Sequence, residues 1–291
     1  MMNMKLATST TIKEEQFSLE IFQDPFNKRI RIDDYQGNVN QALERAEQLA
    51  SNLLAEKLIV KGRREHFSSF LEKGYRLEGC IDHYFLGSDC YFFTKYFTLE
   101  RQTSPHLLKE DTTINEIYNL PRKVEIKPPP VQYKLIKATQ NDAEALALLY
   151  GQVFQVYPTP LNDPEYIKDT MSAGTIYYCF KREDQIVSAA SAEVNQFYKN
   201  AELTDCATLV EHRKYGLMKL LLQSLEQELI NNGIYCSYSI ARALSFGMNA
   251  ALYQLGYHYR GRLINNCYIF DKIENMNIWV KNLSDMPISR Q

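Results

Sequence analysis

The stretch from Ala201 to Gly233 constrains the fold of this chain most, because strand, turn and helix follow one another directly. Ala201–Val210 has the pattern of a strand, and a charged loop, Glu211–Gly216, comes after it. From Leu217 onward, apolar residues recur every three or four positions, which predicts an amphipathic helix that ends at the glycine. This succession is typical of an α/β fold.

The loop has the features of an anion site. The first turn of a helix leaves backbone N–H groups without partners, and the helix dipole favours negative charge there. Arg213 and Lys214 add positive charge, and Gly216 allows the backbone to approach a ligand closely. An ordinary solvated loop is the alternative. We predict a phosphate site formed by the following residues: Leu209, Val210, Arg213, Lys214, Tyr215, Gly216, Leu217 and Met218.

The spacing of this loop decides which phosphate site it resembles. Neither the dinucleotide pattern G-x-G-x-x-G nor the P-loop pattern is present. Arg213-x-x-Gly216-x-Met218 resembles the R/Q-x-x-G-x-G/A signature of the GNAT superfamily of N-acetyltransferases. In that superfamily the loop cradles the pyrophosphate of acetyl-CoA, so the resemblance implies acetyl-CoA as the co-substrate. Met218 departs from the signature, where Gly or Ala is usual.

A second motif lies further along the chain. Asn249-x-x-x-Tyr253 followed by Gly256-Tyr257 resembles the superfamily's N-x-x-x-Y…G-[FY] motif. The resemblance implies that Asn249 contacts the cofactor and that Tyr253 lies near its sulfur, as general acid for the thiolate. The alternative for Tyr253 is a core residue on an apolar helix face. We therefore expect the GNAT acyl-CoA N-acyltransferase fold over residues 133–285, in the C-terminal half.

The predicted elements of this half follow the order of that fold. They are strand Tyr133–Thr139, helices Asp142–Phe154 and Asp163–Ala173, hairpin strands Thr175–Lys181 and Gln185–Phe197, strand Ile234–Ala241, helix Ser245–Leu255 and the last strands within Tyr257–Phe270.

Five short phrases resemble one family more closely, that of β-lysine N-acetyltransferases. They are Asp34–Asn38, Val156–Pro164, Gly256–Gly261, Ile264–Asn266 and Glu274–Trp279. The resemblance implies acetylation of the side-chain amine of β-lysine (3,6-diaminohexanoate), which yields a compatible solute. It also assigns substrate-binding roles to Tyr157, Asp163, Asn265 and Asn266. Two alternatives stay open: a GNAT enzyme for a polyamine, an aminoglycoside or a protein lysine, and a non-catalytic acyl-CoA-binding module.

The reaction needs a base, because an ammonium group with a pKa near 10 has no lone pair with which to attack a thioester. Glu202 and Asp205 lie on the strand before the loop, and Glu193 lies on the neighbouring strand. Their odd separation predicts that Glu202 and Asp205 point to opposite faces of the sheet, so only one of them could reach the site. A water chain that ends at one of these carboxylates is an equal alternative.

Three consecutive prolines, Pro128–Pro130, divide the chain, since proline favours an extended linker over helix or central strand. We predict a smaller N-terminal α/β domain over 1–120 and a linker over 121–132. Phe70–Gly79 and Leu252–Gly261 each end a helix with Gly-Tyr and place a second glycine five residues after the first. This likeness suggests that the first domain is a degenerate GNAT copy without the phosphate loop. The alternative is coincidence, because a glycine commonly ends a helix that precedes a strand.

Elements predicted within the N-terminal domain are strand Arg29–Asp34, helix Val39–Ala55, strand Lys57–Val60, helix Glu65–Lys73 and strands Tyr75–Ile81 and Cys90–Leu99.

Composition narrows the remaining classes. A formal net charge of −2 over 291 residues gives no electrostatic footprint for nucleic acid. No stretch reaches 18 apolar residues, so we expect neither a membrane span nor secretion. Six scattered cysteines without zinc spacing predict free thiols in the reducing cytoplasm, and the five histidines suggest no metal. We expect a monomer or homodimer with a small amine as its partner.

Overall fold

The computed structural model describes residues 7–122, 126–154, 159–269 and 272–285. Its centre is one continuous 13-stranded sheet to which both halves of the chain contribute. The two predicted domains are therefore joined through main-chain hydrogen bonds. Across the described ranges, no helix is both long enough and apolar enough to cross a membrane.

The described part of the N-terminal half contains six strands and four α-helices, the last of which, α4, precedes the linker. The elements are β1 (Thr8–Lys13), β2 (Phe17–Asp24), β3 (Arg29–Gly37), α1 (Val39–Asn52), β4 (Lys57–Gly62), α2 (Phe67–Glu72), β5 (Arg76–Phe85), β6 (Ser88–Tyr96), α3 (Leu99–Gln102) and α4 (Leu107–Tyr118). The predicted elements from β3 to β6 are present with boundaries shifted by a few residues. The sequence analysis missed β1 and β2.

The C-terminal half has the predicted order of strands and helices up to β12, but the last strand, β13, lies beyond Tyr257–Phe270, where the last strands were predicted. The elements are β7 (Tyr133–Lys137), α5 (Ala143–Val153), α6 (Pro164–Ser172), β8 (Ile176–Arg182), β9 (Gln185–Asn195), β10 (Asn200–Thr208), α7 (Leu217–Asn231), β11 (Cys236–Arg242), α8 (Phe246–Gln254), β12 (His258–Ile269) and β13 (Lys272–Asn282). A short 3₁₀ helix, Val210–Tyr215, occupies the loop between β10 and α7.

Apart from the extra edge strand β7, the sheet has the same strand order read inward from either side. Its order is β1-β2-β3-β4-β6-β5-β12-β13-β11-β10-β9-β8-β7, so β5 and β12 form the seam between the halves. Within each half the register also agrees: Arg29 pairs with Lys57 in parallel, and Asn200 pairs with Cys236 in parallel. The halves thus share one topology about a pseudo-two-fold axis at the seam.

Residues with an unusual backbone conformation also occur at equivalent positions of the two halves. Lys28 and Lys199 both have positive φ in the turn before the equivalent strands β3 and β10, and Gly74 and Gly256 both have positive φ after the equivalent helices α2 and α8. The equivalent contacts across the seam also match. Asn200 donates to the carbonyl of Tyr84 at 2.9 Å, and Arg29 donates to the carbonyl of Asn266 at 3.1 Å.

The sheet curls so that β3 and β4 face β10 and β11. The rings of Tyr84 and Tyr238 lie 5.8 Å apart, and Tyr198 donates a hydrogen bond to Asp34. An apolar cluster with residues from both halves fills the base of this curled face, and it includes Ile59, Ile81, Phe92, Leu263, Ile278 and Val280. Above that cluster, charged side chains line the inner face: Arg31 and Lys61 from the N-terminal half, and Glu193 and Glu202 from the C-terminal half. We call the region between them the interdomain cleft.

Candidate active site

The predicted phosphate loop lies at the C-terminal end of β10. Gly216 adopts a left-handed conformation with φ of 69° at the start of α7, and no side chain caps this helix. Arg213, Lys214 and Gly216 are exposed, whereas Leu209 and Leu217 are buried and anchor the two ends of the loop. Arg213 donates to the carbonyl of Thr208 at 3.2 Å. The open N–H groups of the first turn can therefore donate hydrogen bonds to an anion.

The remaining loop residues differ in exposure. Val210 is exposed, Met218 is half-buried, and the ring of Tyr215 packs 5.2 Å from that of Tyr133.

The equivalent helix in the N-terminal half is closed to such a ligand. At the start of α1, the side chain of Asn38 accepts hydrogen bonds from the amides of Asn40 and Gln41. Gly37 is followed directly by this cap, so no loop separates the strand from the helix. Because the helix terminus satisfies its own donors, this half has no counterpart of the phosphate loop.

A cavity of about 320 Å³ adjoins the loop on the side of the linker. Its walls include Lys214, Gly216 and Lys219 from the loop and helix, and Lys127 with two linker prolines from the other side. Three ammonium groups around an uncapped helix terminus suit a pyrophosphate. Another cavity, of about 610 Å³, lies between α5 and the β8–β9 turn, and none of its lining residues is a predicted site residue.

The gap between β10 and β11 leads from the phosphate loop into the sheet. The two strands pair only from Asn200 to Glu202 and then separate. In the N-terminal half, Arg63 fills the corresponding gap: it donates to the Tyr35 carbonyl at 2.9 Å and forms an ion pair of 2.6 Å with Asp34. In the C-terminal half the start of the gap is spanned by a shorter side chain, since the Ser239 hydroxyl on β11 donates to the Leu203 carbonyl on β10 at 2.7 Å.

A β-bulge in β10 changes the predicted facing of Asp205. The register with β9 shifts between Thr204 and Ala207, and Asp205 has a positive φ of 51°. Its carboxylate accepts a hydrogen bond of 2.7 Å from Ser191, which lies on the same face of β9 as Glu193. The prediction that Glu202 and Asp205 point to opposite faces is therefore wrong, because the extra residue of the bulge resets the alternation.

Glu193 and Glu202 form a directly opposed cross-strand pair on β9 and β10. Side chains in such pairs have their Cβ atoms about 5 Å apart. Burial in the cleft and the neighbouring Glu193 raise the pKa of Glu202 to about 7. Burial also raises the pKa of Glu193, although its side chain still reaches water. A carboxylate with a pKa near 7 is well matched to act as a base at neutral pH.

Tyr253 and Asn249 lie on the other face of the sheet. Tyr253 packs against Trp279 with ring centroids 6.4 Å apart, donates to the Tyr118 carbonyl at 3.3 Å, and has Arg122 over its ring. Asn249 is fully buried. Its side-chain NH2 donates to the Arg242 and Ser245 carbonyls, and its side-chain oxygen accepts from Asn277 and Trp279. In this arrangement Asn249 fastens α8 to β11 and β13.

Among the predicted substrate residues that the structure describes, Asp163 lies apart from Asn265 and Asn266. Tyr157 lies outside the described residues. Asp163 is exposed and caps α6 by accepting from the amide of Glu165. Asn265 is buried and donates to the carbonyls of Glu100, Arg101 and Thr103, while the carbonyl of Asn266 accepts from Arg29. Both asparagines therefore lie at the contact between β12 and the N-terminal half.

Residues that the sequence analysis did not select line the cleft instead. Arg31 and Lys61 approach it from the N-terminal half, and both act electrostatically on Glu202. Burial, with the carboxylates of Glu193 and Asp205, raises the pKa of Tyr166 on α6. Comparison of the two halves residue by residue would have aligned Arg31 with Glu202, since each faces the parallel neighbour strand at the same register.

A family model described as the acetyltransferase (GNAT) family matches residues 143–257. N-acetyltransferase YodP of Bacillus subtilis is 40% identical over 94% of this chain and 99% of its own. Two proteins named β-lysine N(6)-acetyltransferase are also similar. The one from Methanosarcina mazei is 36% identical over 86% of this chain and 100% of its own, and the one from Methanococcus maripaludis is 33% identical over 88% and 93%.

The C-terminal half is thus an acetyltransferase domain of the GNAT type, as predicted. The chain as a whole belongs to the β-lysine N-acetyltransferase family, and it is an N-acetyltransferase. Within the described ranges, no group of three or more His, Cys, Asp or Glu side chains could hold a metal ion.

Proposed function

We propose that this enzyme transfers the acetyl group of acetyl-CoA to the N6 amine of β-lysine, and that the product, N6-acetyl-β-lysine, serves as a compatible solute. The observation that carries the proposal is the Glu193–Glu202 pair at the gap between β10 and β11. Two adjacent carboxylates in a cleft attract an ammonium substrate, and their mutual repulsion leaves one of them able to take a proton near pH 7. Full-length similarity to two β-lysine acetyltransferases supports the choice of amine.

The co-substrate fits the loop and the gap. The amides of Lys214–Met218, with Arg213 beside them, hold the pyrophosphate at the uncapped start of α7. Acetyl-CoA supplies an activated acetyl thioester to the gap between the strands. A helix terminus without a cap, an open left-handed glycine and surrounding lysines form a site for a polyanion.

The reaction is a direct transfer. Glu202 removes a proton from the N6 ammonium, and the freed amine attacks the thioester carbonyl from the cleft. The new N–C bond forms, the C–S bond breaks, and Tyr253 gives its proton to the departing thiolate. The second proton that the nitrogen loses restores the Tyr253 hydroxyl, and the proton on Glu202 leaves to water. Asp205, held by Ser191 on the same face, adds negative charge that favours the cationic substrate. No covalent intermediate on the protein is needed.

The N-terminal half has a different role in this proposal. We retain the division into residues 1–120, a linker over 121–132, and 133–285, and we take the first part to be a degenerate copy of the second. Its capped helix and the Arg63 bridge oppose cofactor binding, while it covers the apolar face of the acetyltransferase half. All six cysteines are free, which fits the reducing cytoplasm.

A thiol-release assay with acetyl-CoA and a panel of amines tests the substrate. The panel contains β-lysine, α-lysine, spermidine, an aminoglycoside and a lysine peptide. We expect β-lysine to give the highest kcat/KM, with mass spectrometry of the product placing the acetyl group on N6. Faster turnover of another amine would contradict the choice of substrate, and absence of thiol release with every amine would contradict the proposed reaction with acetyl-CoA.

A further inference from the structure

Charged groups from the N-terminal half form the wall of the cleft opposite the acidic pair. Arg31 holds Asp33 with both nitrogens of its fork, at 2.6 and 3.1 Å. Lys61 lies 2.7 Å from the same carboxylate and donates to the Tyr84 hydroxyl at 2.9 Å. Two cations share one carboxylate, so Arg31, Lys61 and Asp33 together carry one positive charge in excess.

The acidic wall has the opposite imbalance. Glu193 and Glu202 make neither an ion pair nor a side-chain hydrogen bond with any residue in the described part of the chain. Arg31 and Lys61 act on both carboxylates across the cleft. Together with Asp33 and Asp205, these groups leave negative charge in excess, which a substrate with two ammonium groups and one carboxylate would reduce.

We propose that Arg31 and Lys61 bind the carboxylate of the substrate, that Glu193 holds its second ammonium group, and that the amine to be acetylated lies at Glu202. This assignment rests on the proposed function. Its direction follows from the strands: every cation of the cleft comes from β3 and β4, whereas the acids beside the cofactor gap come from β9 and β10. A guanidinium has five N–H donors, so Arg31 keeps donors for a second carboxylate beside the two that it gives to Asp33.

Equivalent positions of the two halves therefore carry opposite charges. Arg31 pairs with Ile59 between the parallel strands β3 and β4, and Glu202 pairs with Tyr238 between β10 and β11. The pseudo-two-fold axis brings the two positions to opposite walls of one cleft. A cleft built from two like halves has in this way acquired the polarity that a zwitterionic amino acid requires.

Three amines and two variants test the assignment. The amines are β-lysine, 1,4-diaminopentane, which is β-lysine without its carboxylate, and 6-aminohexanoate, which is β-lysine without its second amine. Arg31→Gln should lower kcat/KM roughly 10- to 100-fold for the two amines that carry a carboxylate, and much less for 1,4-diaminopentane. Lys61→Gln should act in the same direction and serves if the first variant does not fold. Arg64→Gln, an exposed arginine of the same half, is the matched control and should change none of the three values.

The outcomes separate this assignment from the proposed function. If the wild-type enzyme acetylates β-lysine but both variants lower kcat/KM equally for all three amines, the two cations have a structural role. That result would overturn the assignment and leave the proposed function intact. If the wild-type enzyme prefers an amine without a carboxylate, the proposed function falls, and the carboxylate site with it. A selective loss with the two carboxylate substrates supports both.

Discussion

Gly79 on β5 and Gly261 on β12 lie opposite each other at the seam of the sheet, where they form the one cross-strand pair assigned between those strands. A Cβ on Gly261 would lie 2.3 Å from the Glu78 carbonyl oxygen and 2.4 Å from the Gly79 Cα. The φ of Gly261 is +135°, a conformation that side chains rarely adopt. The two glycines are also equivalent positions of the two halves, so the pseudo-two-fold axis passes between them.

Substitution of the seam glycine should therefore destabilise the whole molecule. We expect Gly261→Ala to lower the free energy of unfolding by more than about 2 kcal/mol, because both the clash with main-chain atoms and the positive φ oppose it. Gly151→Ala, in α5, is the control, since its Cβ would make only an ordinary contact, 3.7 Å from the Asn162 Cβ. Urea unfolding measures both; equal stability of the two variants would show that the halves join elsewhere.

Removal of the N-terminal half should abolish a soluble enzyme. A fragment that begins at Tyr133 exposes the edge of β12 and the inner-face side chains of Tyr238, Ile278 and Val280. An uncovered strand edge beside an apolar patch promotes aggregation. We expect the fragment to be largely insoluble and to have little activity, as judged by soluble yield and thiol release. A fragment that acetylates β-lysine at the full rate would refute this role.

Local sequence patterns were sufficient for much of the C-terminal half. The amphipathic spacing of α7, the end of α8 at Gly256 and the β8–β9 hairpin all follow from short-range rules, and the structure agrees with them. The phosphate loop could be located because a strand, a charged turn, a glycine and a helix follow one another within one stretch of chain. Such features depend on neighbours in sequence rather than on distant contacts.

The cleft could not be predicted in the same way. Alternation along β10 gave the wrong face for Asp205, because the bulge adds one residue that nothing in the sequence marks. In the sequence, Arg31 and Lys61 look like ordinary charged residues of strands. Only the curl of the sheet places them opposite Glu202. The family phrases placed Asn265 and Asn266 in the substrate site, whereas their amide and carbonyl groups are used to hold the N-terminal half.

Gly216 provides a test of the cofactor site. We expect Gly216→Val to raise the KM for acetyl-CoA, because its φ of +69° disfavours a β-branched residue and a side chain there would point to the ligand. Gly233→Val is a close control: its φ is +68° at the other end of the same helix, so it suffers similar strain away from the loop. Steady-state kinetics should show a raised KM only for the first variant. An unchanged KM would remove the loop from the cofactor site.

Glu202 should set the pH dependence of the reaction. Its pKa of about 7 predicts that kcat/KM for the amine rises with pH through that value as the carboxylate loses its proton. Glu202→Gln should abolish this rise and lower the rate by about 100- to 10,000-fold. Glu144→Gln, on an exposed face of α5, should keep the pH dependence and the rate of the wild-type enzyme. A Glu202→Gln enzyme with the same rise near pH 7 would assign the base to another group.

The same carboxyl group should affect stability with a defined sign. Its folded-state pKa lies above the ordinary value of 4.5 for a glutamate, so the stabilisation from its protonated form is present at low pH and is lost as pH rises through about 7. Glu202→Gln, which mimics that form, should therefore raise Tm relative to wild type at pH 8 more than at pH 5. Thermal melting at the two pH values checks this, and a larger gain at pH 5 would reverse the assignment.

Tyr253 tests the departure of the thiolate. If its hydroxyl protonates the leaving group, Tyr253→Phe should lower kcat by about 100-fold, near the lower limit for general acid help, and leave the KM for acetyl-CoA nearly unchanged. Tyr259→Phe is the matched control, because both rings pack against Trp279, at 6.4 and 5.8 Å. The loss should shrink with a thioester of a more acidic thiol, since that leaving group needs less protonation. Wild-type kcat in Tyr253→Phe, or an equal loss with every thioester, would show that the tyrosine only joins α8 to the sheet.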